Sequence, residues 1–222
     1  MLQNEIPNRI ERLRHCRNQY IEFIRAEDFE LKSQFVLVVD FDIRNNRLNF
    51  EPLFKFIHEE NQEWSALFCN QTGRYYDIYA LRADNWSESD CFLEARKISI
   101  EKGWKIARQE AIWSKMIHVS KKQKEAIAVH SAFGGMGLYK SEVFKYFDYS
   151  VDLNNSAFES EHVALHKKIE AAGGKMFIIP GFTNFSWNTH NLSSFNFFRY
   201  LDTISKKLPL KSFRKKARFI VN

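Results

Sequence analysis

A short uninterrupted run of apolar residues, Phe35–Val39, is the clearest structural signal in this sequence, and it leads directly into Asp40 and Asp42. Such a run is typical of a strand buried on both faces in the middle of an α/β sheet. Because side chains two residues apart on a strand point the same way, both aspartates are predicted to converge on one hard cation at the strand's carboxyl end. The alternative is that one aspartate only caps the following turn.

Apolar periodicity predicts the other elements of an α/β fold. Helical spacing indicates helices over 8–27, 53–57, 91–117 and 156–172, and β patterns indicate strands over 64–70, 75–82, 126–139 and 175–180. Asn8 is expected to cap the first of these helices, and Gly173-Gly174 to end the last. In the strand predicted over 75–82, Tyr75 and Asp77 would share one face.

Composition indicates a globular protein and argues against two other classes. The chain has 222 residues, of which 45% are hydrophobic, and this is enough for one sizeable core. No apolar run has the length of a membrane span, and the first residues lack a signal-peptide pattern. The three cysteines, Cys16, Cys69 and Cys91, are widely spaced and suit reduced thiols in a cytoplasmic protein.

The positive charge is concentrated at the carboxyl end. Residues 203–222 contain seven basic and no acidic residues, so a total of +6 leaves the remainder at −1. We therefore predict one domain over 1–200 and a basic amphipathic tail over 201–222. The mixture of cations and apolar residues over 206–220 suits an anionic membrane surface, and a solvated basic tail is the alternative. Specific nucleic-acid binding is not expected, because the basic residues are not spread over the folded domain.

Several motifs follow one another over residues 8–180. They are Asn8–Arg12 with Cys16-Arg17-Asn18, Val38–Asp42, Asn70-Gln71, Tyr75–Arg82, Ser131–Lys140 and Glu161–His166. Together they resemble a family of metal-dependent GT-A glycosyltransferases found among bacterial surface-polysaccharide enzymes, and chlorella-virus glycosyltransferases are similar. The resemblance implies a Rossmann-like mixed central sheet flanked by helices. It also implies a nucleotide-diphosphate sugar as donor and a glycan or lipid-linked acceptor, with a location in the cytoplasm or at the membrane surface.

The sequence departs from this family at its amino terminus. In the GT-A fold a first βαβ unit, whose opening strand holds the base and ribose of the donor, precedes the arginine helix. Only 39 residues precede Asp40, so the fold is expected to be shortened at its amino terminus. The alternative to an active transferase is a catalytically weak or inactive module that binds a sugar or a partner. A metal-dependent phosphohydrolase is a further alternative that the motifs favour less.

The resemblance and the residue types predict the catalytic groups and the metal ligands. Asp40 and Asp42 are expected to form the site for Mn²⁺ or Mg²⁺, which would offset charge on the departing diphosphate. The resemblance implies that Asp42 is the direct ligand and that Asp40 faces the ribose or a metal-bound water. His166 would add a ligand that favours Mn²⁺, or else pack on His162 one helical turn away. Glu161 is the leading candidate for the general base, with Asp77 and Glu159 as reserves.

The remaining candidates are binding residues. Guanidinium groups match phosphate oxygens, so Arg9, Arg12 and Arg17 are predicted to hold the diphosphate unless they form a solvated basic face. Asn18 and Asp40 are assigned to the nucleotide sugar. A further set is assigned to the substrate, with core packing as the alternative for its aromatic members: Tyr75, Tyr76, Trp86, Arg82, Gly134, Gly135 and His162.

Overall fold

A mixed β-sheet organises the fold. The computed structural model describes residues 2–28, 32–40, 48–59, 63–151 and 159–184, all within the unit Met1–Ser186. The sheet strands in these residues are β1 Phe35–Val39, β2 Ala66–Gln71, β3 Ile127–Val129, β4 Met136–Lys140 and β5 Met176–Asn184. The helices are α1 Leu2–Glu5, α2 Arg9–Ala26, α3 Glu51–Glu59, α4 Cys91–Ala111, α5 Ser141–Tyr146 and α6 Glu161–Ala171, with a 3₁₀ turn at Trp113–Lys115.

The strand directions bring several loops to one edge of the sheet. The strand order is β1-β4-β2-β5-β3, and β4 is antiparallel to both β1 and β2, while β2 and β5 are parallel. β1, β2 and β5 therefore run in the same direction, and their carboxyl ends meet at one edge. Because β4 runs the opposite way, the loop that precedes Met136, its first residue, lies at this edge as well.

Both faces of the sheet are covered. Along β2, Ala66 and Phe68 belong to a core with α2, α5 and α6, whereas Leu67 and Cys69 belong to a second core with α3. This alternation follows from the two-residue period of a strand. The described residues therefore form a mixed α/β fold with a helix-flanked sheet, as the sequence predicts at that level.

The prediction that Phe35–Val39 lies in the middle of the sheet is wrong. Among the described strands, β1 pairs only with β4 and forms the edge, and Leu37 is 42% exposed. β2 occupies the central place, and all of its residues are buried. An apolar run indicates that a strand is buried, but it does not indicate where the strand lies in the sheet. An edge strand covered by a helix has the same pattern.

The prediction of a strand over 75–82 is also wrong. This segment forms turns, with isolated bridges joining Arg82 to Ser131 and Arg74 to His118. Tyr75, Ile78 and Leu81 are buried at a spacing of three, which a strand does not give. The apparent alternation of apolar and polar residues therefore comes from a buried loop.

The residues that begin and end helices were predicted more accurately than the strands. The Asn8 side chain accepts hydrogen bonds from Ile10 N at 2.8 Å and Glu11 N at 3.3 Å, which confirms the cap of α2. Helix α6 ends at Ala171, and Gly173, two residues later, has a φ of +83°, the left-handed conformation that glycine allows. α6 begins at Glu161, later than predicted, and residues 152–158 lie outside the described part.

Two predictions fall on residues that the structure does not describe, Asp42 and the basic tail over 201–222. None of the helices in the described ranges combines the length and the apolar character that crossing a bilayer requires.

Candidate functional site

The candidate site lies where the loops after β1 and before β4 meet. Asp40 follows β1, and its backbone N–H donates to the carbonyl oxygen of Gly135 at 2.9 Å. Gly134 and Gly135 have φ values of +64° and +86°, which side chains with a Cβ rarely adopt. The chain therefore turns sharply at this edge and carries Asp40 beside the glycine pair.

Arg17 of α2 joins two predicted site residues. Its Nη2 lies 2.8 Å from Asp40 Oδ1, and its Nε lies 3.1 Å from Glu161 Oε1. The guanidinium also lies over the rings of Phe133 and Tyr149, with its carbon 5.2 and 5.7 Å from their centroids. Burial alone would lower the pKa of Arg17, but attraction to Asp40 and the other nearby groups outweighs it and raises this pKa. Arg17 is therefore a fixed positive charge between two carboxylates.

Asp77 is the third carboxyl group of the site. Its Oδ2 accepts a hydrogen bond from Gly134 N at 3.0 Å. Burial raises the pKa of Asp77 to about 6, and repulsion from Glu161 and Asp40 adds to this effect, although the hydrogen bond from Gly134 opposes it. Asp77 therefore changes charge close to neutral pH, and carboxyl groups with such a pKa serve as acids and bases.

The carbonyl group of Gly134 is held from three sides. It accepts from Gln71 Nε2 at 2.9 Å, Asn184 Nδ2 at 2.9 Å and Cys69 Sγ at 3.0 Å. Sequence reasoning missed the roles of Cys69 and Asn184, which lie on strands β2 and β5. The available signal was that polar residues stand at the ends of otherwise apolar strands. These contacts fix the loop on which Asp77 and Asp40 both depend.

His166 lies in the core with both ring nitrogens engaged. Nδ1 is 2.8 Å from Ser131 Oγ, and Nε2 is 2.9 Å from Tyr139 Oη. Burial, with a smaller effect of Arg17, lowers the pKa of His166 to about 3, so the ring is neutral. A metal ion would have to displace one of these hydroxyl groups, and this geometry favours the alternative that His166 is a packing residue.

His162 borders the site directly. Its ring stacks on Phe133 with centroids 3.7 Å apart, and its Nε2 lies 3.6 Å from Glu161 Oε1. Burial and the charge of Arg17 hold the pKa of His162 well below its usual value. Neither ring nitrogen has a hydrogen-bond partner among the described residues. Both ring nitrogens are buried, so this neutral imidazole lies behind the Glu161 carboxylate and not at an accessible surface.

Two of the predicted arginines bind backbone carbonyl groups. Arg12 donates to the carbonyl oxygens of Ile6 and Pro7 at 2.7 and 2.6 Å. Arg82 forms an ion pair with Asp90 at 3.2 Å and also donates to nearby carbonyl oxygens. In these positions both guanidinium groups stabilise local backbone, which differs from the predicted binding roles.

Other predicted residues support the site or lie in the core. Asn18 Oδ1 accepts from Tyr149 N at 2.9 Å, and so positions the ring beneath Arg17. Tyr75 is fully buried, with Trp86 packed edge-on against it, which matches the core alternative. Arg9 is exposed, and the backbone N–H of Tyr76 donates to Gln71 Oε1 at 3.3 Å. Glu159, the reserve candidate for the general base, forms an ion pair with Lys167 at 2.6 Å.

The metal site stays a prediction. Within the described ranges, no three His, Cys, Asp or Glu side chains are arranged to hold a metal ion. Asp40 supplies one carboxylate, and Asp42 is not described. A separate apolar groove of about 430 Å³ lies between β1 and α3, lined by residues such as Leu37, Phe54 and Leu138, and it contains none of the predicted site residues.

Comparisons with known proteins add no family assignment. No protein-family model matches the chain, and no curated protein matches it. A functional interpretation therefore depends on the geometry described above and on the motif resemblance.

Proposed function

We propose that this protein is a metal-dependent glycosyltransferase that moves a sugar from a nucleotide-diphosphate sugar to a glycan or lipid-linked acceptor. The supporting observation is the contact of Arg17 with both Asp40 and Glu161, beside Asp77. These residues belong to four separate motifs of the resemblance, yet they lie together at one sheet edge. Sites for nucleotides in α/β folds form at this edge, outside the carboxyl ends of the strands.

The charge balance of the cluster supports a metal requirement. Three carboxyl groups, those of Asp40, Asp77 and Glu161, accompany the single guanidinium of Arg17. A nucleotide diphosphate would be repelled by this excess of negative charge unless a cation lay between them. A divalent ion held by Asp40 and Asp42 would supply that charge and offset the negative charge that develops on the leaving diphosphate. Of these two residues, Asp40 lies in the part of the chain that the structure describes.

We assign the general base to Asp77 in preference to Glu161. Glu161 is occupied by its ion pair with Arg17, whose Nε lies 3.1 Å from Glu161 Oε1. Asp77 instead accepts from a backbone N–H and has a pKa of about 6, close to the working pH of a cytoplasmic enzyme. In this proposal the acceptor hydroxyl gives its proton to Asp77. Glu161 positions Arg17.

A second candidate function has one specific observation in its favour. Arg17 is predicted to bind the diphosphate and Asp40 to bind the metal, but the two residues form an ion pair with each other through Asp40 Oδ1. If this pair persists when a donor is present, neither group is free for catalysis. The chain would then be a catalytically weak or inactive glycosyltransferase fold that binds a sugar or a partner.

Nucleotide-sugar hydrolysis, measured across pH with Mn²⁺, with Mg²⁺ and with a chelator, tests the proposal. We expect metal-dependent hydrolysis that falls below about pH 6, as Asp77 becomes protonated. Asp77→Asn should lower kcat about 100-fold and abolish the acid limb. Asp84→Asn, which changes an exposed acid in the same loop, is the matched control and should keep both.

Three outcomes would count against parts of this proposal. Metal-dependent activity that survives Asp77→Asn but is lost in Glu161→Gln would move the base to Glu161. Activity that is unaffected by the chelator would contradict the metal requirement. Binding of a nucleotide sugar by calorimetry, with no turnover of any donor in the wild-type protein, would favour the binding module.

A further inference from the structure

Helix α4 is divided by Gly103 into two segments that turn back on each other. Gly103 has φ +77° and ψ +159°, which is not helical. Lys102 Nζ lies 2.9 Å from Glu110 Oε2, although residues eight apart in a straight helix are about 12 Å apart. Ala95 also packs in one cluster with Ala107 and Ala111, which a straight helix would separate further. Segments 91–102 and 104–111 therefore form a helical hairpin.

The tip of this hairpin presents large apolar side chains to solvent. Ile100 is 83% exposed, Trp104 is 55% exposed and Ile106 is 46% exposed. Single exposed apolar residues are common, but three within seven residues at one turn form a patch. The small alanines at the centre of the hairpin hold its segments together, so these larger side chains are not needed for its internal packing.

Cations surround the apolar tip. The hairpin, residues 91–111, contains five basic and three acidic residues, a net charge of +2, and one of its cations, Lys102, is paired with Glu110. Lys97 and Lys105 are both exposed beside the tip. Protein interfaces are depleted in lysine, whereas structures that lie in a membrane surface combine lysine with tryptophan and isoleucine. The long lysine side chains can reach lipid headgroups while the apolar side chains enter the acyl boundary.

We propose that the hairpin tip, residues 99–106, inserts into the headgroup region of an anionic lipid bilayer. The apolar side chains supply burial, and the flanking cations supply attraction to acidic headgroups. The proposal does not depend on the glycosyltransferase activity, and it concerns a different surface from the basic tail predicted over 201–222. It predicts peripheral attachment by the tip itself.

Flotation of the full chain with vesicles of phosphatidylcholine, with and without phosphatidylglycerol, tests the apolar contribution. The wild-type protein should float with the anionic vesicles. The double variant Ile100→Ser with Trp104→Ser should bind them about tenfold more weakly or worse, because it removes most of the exposed apolar surface. Phe54→Ser is the matched control, since Phe54 on α3 is also 55% exposed, and it should bind as the wild type does.

Charge reversal at the tip tests the electrostatic contribution. Lys105→Glu should weaken binding to anionic vesicles about tenfold, since the change removes one attraction to the acidic headgroups and adds a repulsion. Lys124→Glu makes the same change of net charge in a loop outside the tip and should have a smaller effect. Added salt should reduce the difference between these two variants.

Depth-dependent quenching locates the inserted residue. Brominated phospholipid should quench tryptophan fluorescence of the wild-type protein, and Trp104→Phe should remove most of the quenching while preserving flotation. Equal flotation of the wild type and the Ile100/Trp104 double variant would overturn the proposal and leave the tail as the attachment. Absence of flotation, with self-association in sedimentation that the double variant abolishes, would also overturn it and make the tip a protein interface.

Discussion

Gly134 and Gly103 both have a positive φ, but they lie in opposite surroundings. Their φ values are +64° and +77°, so each lies where the chain needs a left-handed residue. A Cβ at Gly134 would clash with the Gln71 amide and lie 2.7 Å from the carbonyl oxygen of Cys69, whereas one at Gly103 would meet nothing within 4 Å. Backbone conformation alone therefore does not separate the candidate site from the hairpin tip. Their surroundings do.

The difference shows how the two regions can serve different tasks. The carbonyl group of Gly134 accepts hydrogen bonds from Gln71 on β2 and Asn184 on β5, and the N–H of Gly134 donates one to Asp77. Catalytic groups need such fixed positions, because small displacements reduce rate strongly. The turn at Gly103 carries exposed side chains instead, and a surface that binds lipid needs contact area more than fixed geometry.

The largest expected effect comes from adding one methyl group at each glycine. Gly134→Ala should lower the free energy of unfolding by about 3 kcal/mol or more, because strain at positive φ adds to a backbone clash. Gly103→Ala should lower it by only about 1 kcal/mol, from conformational strain alone. Urea denaturation of both variants measures the contrast. Similar losses would mean that the loop at Gly134 relaxes easily, and the comparison would fail.

The ion pairs of the two regions should also differ in their contribution to stability, with the larger contribution at the candidate site. Arg17→Met leaves the buried Glu161 and its neighbour Asp40 without their cation, and should reduce stability by about 3 kcal/mol at neutral pH. Lys102→Met breaks the exposed pair with Glu110, and should change stability by less than about 1 kcal/mol. Thermal and urea denaturation at low and high salt measure both. An equally small effect of Arg17→Met would show that solvent reaches the cluster.

Asp77→Asn should make the protein more stable while it lowers activity. The folded-state pKa of about 6 lies above the ordinary value of 3.8, so folding favours the protonated form. This group's contribution is fully present below about pH 4 and is lost as pH rises through 6. Asparagine avoids that loss, so the variant should gain about 1 kcal/mol at pH 7.5, after allowance for partial exposure, and little at pH 4. A gain that is independent of pH would contradict this account.

The smallest effect is expected at His130, which joins the two segments that carry Asp77 and Glu161 but lies on the surface. Hydrogen bonds to Asp84 and then to Glu170 raise the pKa of His130 above 6.5. Its stabilisation is present below pH 6.5 and is lost as pH rises through the raised pKa.

His130→Gln should therefore cost less than about 1 kcal/mol at pH 6, and less again at pH 8 or in high salt. Urea denaturation at the two pH values, with His58→Gln on α3 as control, measures this. A large loss would show that proximity to the site matters more than burial.

Features with short-range causes were predictable from the amino-acid sequence. Asn8 caps α2 because its side chain reaches N–H groups two and three residues away. Gly173 ends α6 because the left-handed conformation is needed at that residue. β2 was predicted because residues buried on both faces of a strand are apolar without alternation.

Features that depend on distant segments were not predictable in the same way. Residues 91–117 were predicted to be largely helical. The reversal at Gly103 was not predicted, because it depends on packing between Ala95 and Ala107. The segment 75–82 alternates like a strand, but its buried turns are set by contacts with Ser131 and Gly134. Sequence periodicity contains no information on these partners.

The sequence by itself determined which residues carry charge, where α2 begins, where α6 ends and that β2 is an inner strand. Only the tertiary structure decided that β1 lies at the sheet edge, that His166 is enclosed by hydroxyl groups, and that Arg17 lies between Asp40 and Glu161. The physical reason is that helix caps and strand periods act over a few residues. Arg17 and Glu161 are 144 positions apart in the chain, so their ion pair forms only when the fold has brought α2 and α6 together.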